Sequence, residues 1–200
     1  MRMEGFLLRN TLIRFAMAIG KPKFYWDTAP LIAWITDEKR ADPAEMAGLA
    51  EVIDMVDRGK ATLMTSVLWR AEVLNSAITP AQKKRLEAAF DGRSIIELEI
   101  GSRIMRLTGE IRSFQSTSKK KDAMKNIRVP DAIHLATAIH YEATEFHTFD
   151  GVRAGVNKGG LLTLDGNVGG HRLRICAPKA EQLQLDFPRA SANNDSDAEN

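Results

Sequence analysis

The 200-residue chain contains a single cysteine, Cys176, so no intrachain disulfide can form. That usage fits a reducing, intracellular setting. No apolar run approaches the roughly 18 residues that a membrane-spanning helix needs. Net charge is only +2, with 28 Lys and Arg against 26 Asp and Glu. The field of the whole molecule is therefore weak, and any attraction to a nucleic acid must come from local basic patches. Two phosphate-binding glycine patterns are also missing. Neither Gly-x4-Gly-Lys-Ser/Thr nor Gly-x-Gly-x-x-Gly occurs, which argues against P-loop and dinucleotide chemistry.

What is present is an ordinary globular composition, 44% apolar and 27% charged. The length favours one domain with short extensions, and a chain of this size buries a full core without staples. We divide it into an N-terminal extension (1–22), a domain (23–178) and a tail (179–200) that is disordered from about residue 189. The stretch Phe6 to Ile19 is apolar but interrupted by Arg9 and Arg14, and no small-x-small site follows before Lys21-Pro22. It reads as a short amphipathic helix, or as sequence ahead of a start at Met17, rather than as a signal peptide.

Strand and helix signals alternate along the domain. Lys23–Trp26 reads as a strand ending in Asp27, followed by a helix opened by Thr28 and Pro30. Asp42-Pro43-Ala44-Glu45 has the form of a capping box, and Met46, Leu49, Ala50, Ile53 and Val56 follow at helical spacing up to Gly59. Ala61–Thr65 is a second strand, and Ser66 is expected to cap a helix that carries Glu72. Thr79-Pro80 opens another helix. Ile95–Leu98 is a third strand, and Ser102 leads a helix with Ile104, Leu107, Thr108 and Ile111 in phase. A helix from Asp131 to about Tyr141 precedes a fourth strand, Phe146–Phe149, which ends in Asp150. Leu161–Leu164 and Arg172–Ile175 read as short strands. Strands joined by helix-length crossovers predict a parallel sheet covered on both faces, a three-layer α/β/α sandwich.

In such sheets ligands bind beyond the carboxyl ends of the strands. Asp27 and Asp150 fall at strand ends, and Asp131 and Glu72 fall early in helices that face the same edge. Each acid has an ordinary reading by itself: a capping residue for Asp27, a helix-start acid for Asp131, a solvated helix face for Glu72, a turn pair with Gly151 for Asp150. Their joint placement favours a shared site. Four converging carboxylates repel unless a cation intervenes, and hard oxygen ligands suit Mg²⁺ or Mn²⁺. A divalent cation of that kind can activate water for attack on a phosphodiester. Thr148 could hydrogen-bond at the site or be a plain strand threonine. Lys119, Lys120, Lys121, Lys125 and Arg128 either contact RNA phosphates or form a solvated loop, with Arg70 and Arg112 weaker candidates. His134 and His140 stand six apart, the wrong spacing for a zinc pair on one helix face, and His134 reads as structural or cleft-lining. Cys176 reads as core packing. A phosphotransferase of the haloacid-dehalogenase type needs Asp-x-Asp at the first strand end, and Ala29 stands where its second Asp would be.

Four segments resemble the motifs of PIN-domain nucleases. They are Phe24–Trp34 around Asp27, Ser66–Leu74 around Glu72, Pro130–Ile139 around Asp131, and Phe146–Asp150. The resemblance spans about Lys23 to Pro178. It implies an α/β/α fold, Mg²⁺ or Mn²⁺ held by Asp27, Glu72, Asp131 and Asp150, and endoribonuclease activity. Thr28 and Thr148 would be polar supports. Small bacterial members of this family are commonly cytoplasmic VapC-type toxins that act as homodimers and are restrained by an antitoxin protein. Many members carry a further acid or Asn beyond the fourth Asp. Gly151–Gly155 offers none, which weighs against a second metal site. The competing reading is a PIN-like RNA-binding or assembly module with little activity.

Overall fold

The computed structural model describes residues 20–73, 78–92, 94–117, 127–151 and 160–178. The expectations for Phe6–Ile19, Leu74, Lys119, Lys120, Lys121, Lys125, Val152–Gly155 and the tail from residue 179 lie outside the described residues.

Five strands form one sheet: β1 (Lys23–Trp26), β2 (Thr62–Ser66), β3 (Ile96–Leu98), β4 (Glu145–His147) and β5 (Arg174–Cys176). Their order is β3-β2-β1-β4-β5, and every neighbouring pair is parallel. The six described α-helices are α1 (Thr28–Thr36), α2 (Pro43–Asp57), α3 (Trp69–Val73), α4 (Pro80–Asp91), α5 (Ser102–Thr117) and α6 (Val129–His140). None is long and apolar enough to cross a membrane.

Side-chain alternation on the strands divides the core in two. Tyr25, Met64, Phe146 and Ile175 share one face and pack with α5 and α6 through Ile104, Ile111, Leu135 and Ala136. Phe24, Trp26 and Leu63 face the other way, against Leu31, Leu49, Trp69 and Leu86 from α1 to α4. Both faces are covered, as a parallel sheet requires. The central strand β1 is the most enclosed: Tyr25 and Trp26 are fully buried.

The strand order also fixes where a site can form. The chain lays down β1, β2 and β3 outward in one direction, then returns to place β4 on the other flank of β1. The direction of winding therefore reverses between β1 and β4. That is where the loops leaving two neighbouring strands diverge and open a crevice at the carboxyl edge. The Asp27 amide still donates to the His147 carbonyl at 3.3 Å, so the two strands separate only beyond this point.

Several local expectations are corrected. Asp27, not Thr28, caps α1, its carboxylate accepting from the Ala29 amide at 3.0 Å. Asp42 caps α2 through Ala44, but the Glu45 side chain does not close a capping box. It pairs with Arg40 at 2.5 Å instead. Ser66 is the buried last residue of β2 and no cap, and α3 begins only at Trp69, so Glu72 sits in the first turn of a five-residue helix. Strand β4 starts one residue earlier than expected and stops at His147, leaving Thr148 and Phe149 as linkers to Asp150. Leu161–Leu164 is a 3₁₀ turn, with Leu161 and Leu164 buried, and not a strand. A short apolar run reads equally well as either. Among the described residues a full capping box is found at α4, where Thr79 and Gln82 bond reciprocally at 3.3 and 2.8 Å.

Candidate active site

Asp27 enters the crevice because it ends the central strand and caps the helix that follows. Its backbone is extended, as a cap requires, and the residue is buried. Burial pushes its carboxyl, ordinarily near 3.8, up to about 6. The nearby His134, a hydrogen bond from Thr148 and the Ala29 amide oppose that rise, while Asp131 adds to it. The Asp131 carboxylate is therefore close enough to be felt.

Thr148 ties two of the acids together. Its hydroxyl bonds Asp27 and accepts the Asp150 amide at 3.0 Å. Asp150 is further hemmed in by Gly160: a Cβ at that glycine would lie 2.5 Å from the Asp150 carbonyl oxygen. Only the absence of a side chain there lets the 3₁₀ turn close over Asp150.

Glu72 reaches the crevice from α3. It accepts from the Thr28 hydroxyl and lies 2.9 Å from Nε2 of His134. Burial alone would raise its carboxyl. The bonds from His134 and Thr28, with the nearby Arg128 cation, outweigh burial and hold it below the usual range. His134 is buried itself, and its Nδ1 lies 2.8 Å from the Tyr25 hydroxyl and 3.4 Å from that of Ser66. Tyr25, buried beneath it, is raised far above the ordinary phenol range. A layer of Tyr25, Ser66 and His134 thus underlies Glu72 and Thr28. His134 stands one helical turn beyond Asp131 on α6, so both face the crevice. That i, i+3 relation was visible in the sequence and marks His134 as more than cleft lining.

Asp131 lies in the first turn of α6, where Pro130 also sits. Arg128 grips it with a two-pronged contact, Nε to Oδ2 at 2.9 Å and Nη2 to Oδ1 at 3.1 Å. Asp150 and Glu72 also act on the same guanidinium and, with Asp131, raise its affinity for its proton. Arg128 is therefore the ion-pair partner of Asp131 and lies near enough to Asp150 and Glu72 to act on both. The structure brings all four acids to one edge, with Thr28, Thr148, His134 and Arg128 between them. The side chains that could hold a cation there offer carboxylate and hydroxyl oxygen, and the buried Asp27 stands near Asp131, which adds to its rise. That chemistry fits a hard divalent cation.

Among the described residues, the one trio of ligating side chains whose donor atoms all lie within 4.8 Å of one another is elsewhere: Glu145, His147 and Cys176. It lines a cavity of about 720 Å³ on the α2 side of the sheet. The indole of Trp26 donates to Nδ1 of His147 at 3.1 Å. An indole N–H cannot accept, so the neutral imidazole carries its proton on Nε2 and gives it to Glu145 at 3.1 Å. The lone pair a metal would need is thus occupied. Cys176 donates to the same carboxylate, and burial followed by Glu145 pushes its thiol up to about 11. Hydrogen bonding from His147 in turn holds Glu145 below the usual carboxylate range despite its partial burial. This trio is a closed hydrogen-bond set, with Cys176 as a packed thiol.

No curated protein matches the chain significantly in sequence. Solved structures similar to it include the following two. One is VapBC2 from Rickettsia felis bound to a DNA fragment from their promoter, at 15% identity over 63% of this chain and 86% of that one, with a TM-score of 0.48. The other is a toxin–antitoxin complex from Klebsiella pneumoniae, at 19% identity over 68% and 93%, with a TM-score of 0.44. The family model of the PIN domain matches residues 24–156, about two thirds of the chain and all four acids. With that match and the strand order described above, the chain belongs to the PIN domain family, in general a family of nucleases.

Proposed function

We propose that this chain is a Mg²⁺- or Mn²⁺-dependent endoribonuclease that hydrolyses RNA phosphodiester bonds. The observation that carries the reading is the convergence of Asp27, Glu72, Asp131 and Asp150 on the crevice between β1 and β4. Asp27, Asp131 and Asp150 would hold the cation, with Glu72 completing the set. When bound, the cation supplies Lewis acidity to a water and offsets charge on the phosphate. Thr28 and His134 hold the Glu72 carboxylate ionised and aimed into the crevice. Thr148 fixes Asp27 relative to Asp150. The basic run Lys119, Lys120, Lys121 and Lys125, with Arg128, would guide the RNA backbone toward the crevice. A module that only binds RNA has no use for four acids at one edge, which repel the phosphates it would hold.

The same reading includes a role as the toxin of a toxin–antitoxin pair, cytoplasmic, homodimeric and restrained by a cognate protein. Its support is the resemblance of the domain, which we take as 23–178, to the small bacterial members of the family. Purified protein should cleave RNA in Mg²⁺ or Mn²⁺ and stop in EDTA. The Asp131→Asn protein should lose at least about a hundredfold in rate. An Asp131→Asn protein as fast as wild type refutes the mechanism. Expression without the partner should arrest growth, and harmless expression of active enzyme refutes the toxin role alone.

A further inference from the structure

We propose that Arg128 is a built-in counter-ion that competes with the divalent cation for Asp131, so that loading the site requires its guanidinium to swing out. This rests on the metal-dependent reading above. Three observations carry it. First, the guanidinium takes both oxygens of Asp131, at 2.9 and 3.1 Å. A cation bound to that carboxylate would stand beside an aligned like charge. Second, the Asp131 side chain is only 15% exposed while that of Arg128 is 73% exposed. The guanidinium thus covers a nearly enclosed carboxylate from the solvent side, the side from which an ion must arrive. Third, Arg128 stands at the cap position of α6 and makes no capping bond with its side chain. No part of the helix depends on its staying. The Arg128 side of the pair is solvated, so the guanidinium can leave it without being buried elsewhere.

Besides its direct pair with Asp131, the guanidinium is near enough to Asp150 and Glu72 to act on both. It offsets their repulsion until an ion replaces it.

The test is Mn²⁺ binding to the full chain at pH 7.5, read by calorimetry and by the loss of the free-ion electron resonance signal. Wild type, Arg128→Ala, Arg128→Lys and Asp131→Asn are compared. Arg128→Ala should bind Mn²⁺ about three- to tenfold more tightly than wild type. Arg128→Lys should also bind more tightly than wild type, because an ammonium keeps the charge but cannot fork onto both oxygens. Equal affinity for Arg128→Lys and wild type leaves only a charge effect and overturns the competition. Arg128→Ala no tighter than wild type overturns it too. Asp131→Asn should bind much more weakly, and unchanged binding places the ion elsewhere and overturns the inference. If no variant binds Mn²⁺ at all, the metal-dependent reading falls with it, whereas tight binding that is indifferent to residue 128 refutes the latch alone.

Discussion

Replacing Asp27 by Asn should make the metal-free protein more stable, and only above a certain pH. In the folded chain burial moves this carboxyl from 3.8 to about 6. The folded state therefore binds a proton more tightly than the unfolded one, and its stability falls as pH rises from about 4 through about 6. Above that range the ionised Asp27 costs the fold about 3 kcal/mol. Asn removes the charge and keeps the cap to Ala29, since Asn caps a helix about as well as Asp. The variant should match wild type near pH 4 and exceed it by about 1–3 kcal/mol at pH 7.5. For a domain of this size that is a Tm higher by roughly 3–10 °C. The assay is thermal or urea unfolding in EDTA, stepped from pH 4 to pH 8 for both proteins. Mn²⁺ should reverse the order by stabilising wild type alone. A difference that does not change with pH, or a variant less stable at pH 7.5, refutes the assignment of a strained, buried charge to Asp27.

Other outcomes follow from single contacts. Gly160→Ala should push Asp150 aside, because the new Cβ meets backbone at 2.5 Å. We expect a loss of about 1–3 kcal/mol by urea unfolding together with weaker Mn²⁺ binding. His134→Ala removes the partner of both Glu72 and Tyr25 from a buried position. It should cost about 2–4 kcal/mol in urea unfolding, and an unchanged midpoint would contradict the packing described. Cys176, raised to about 11, should resist iodoacetamide at pH 7.5 and react only as pH approaches that value. Prompt alkylation of the folded protein at neutral pH would refute its bond to Glu145.

Sequence pattern located the parts of this site that depend on strand ends. Phe24–Trp26 is an apolar run with a carboxylate directly behind it, so β1 and Asp27 were placed together. Pro130 marked the start of α6 and with it Asp131. The pattern was weaker where a strand turns straight into a helix. Ser66 has the chemistry of a cap, yet β2 continues through it, and the pull that keeps it there is tertiary, a buried hydroxyl beside His134. Leu161–Leu164 is apolar enough for a strand, but the closeness of Gly160 to Asp150 bends it into a turn. Arg128 reads from the sequence either as an RNA-binding cation or as part of a solvated loop. Its bond to Asp131 is local, three residues along the chain, but a sequence cannot say whether a cation at a helix start faces a neighbour or a ligand.

The winding of the sheet bears on how this protein is made. Asp27 and Asp150 are 123 positions apart, yet they face one another only because β4 docks against the flank of β1. A ribosome that has released residues up to the end of α5 has supplied β1, β2 and β3 but nothing for that flank. At that stage the most apolar strand of the domain is an open edge, and half of the acids have not yet emerged. Truncated chains should therefore be both inert toward RNA and prone to clump. The crevice between β1 and β4 is thus completed only after nearly all of the domain has emerged.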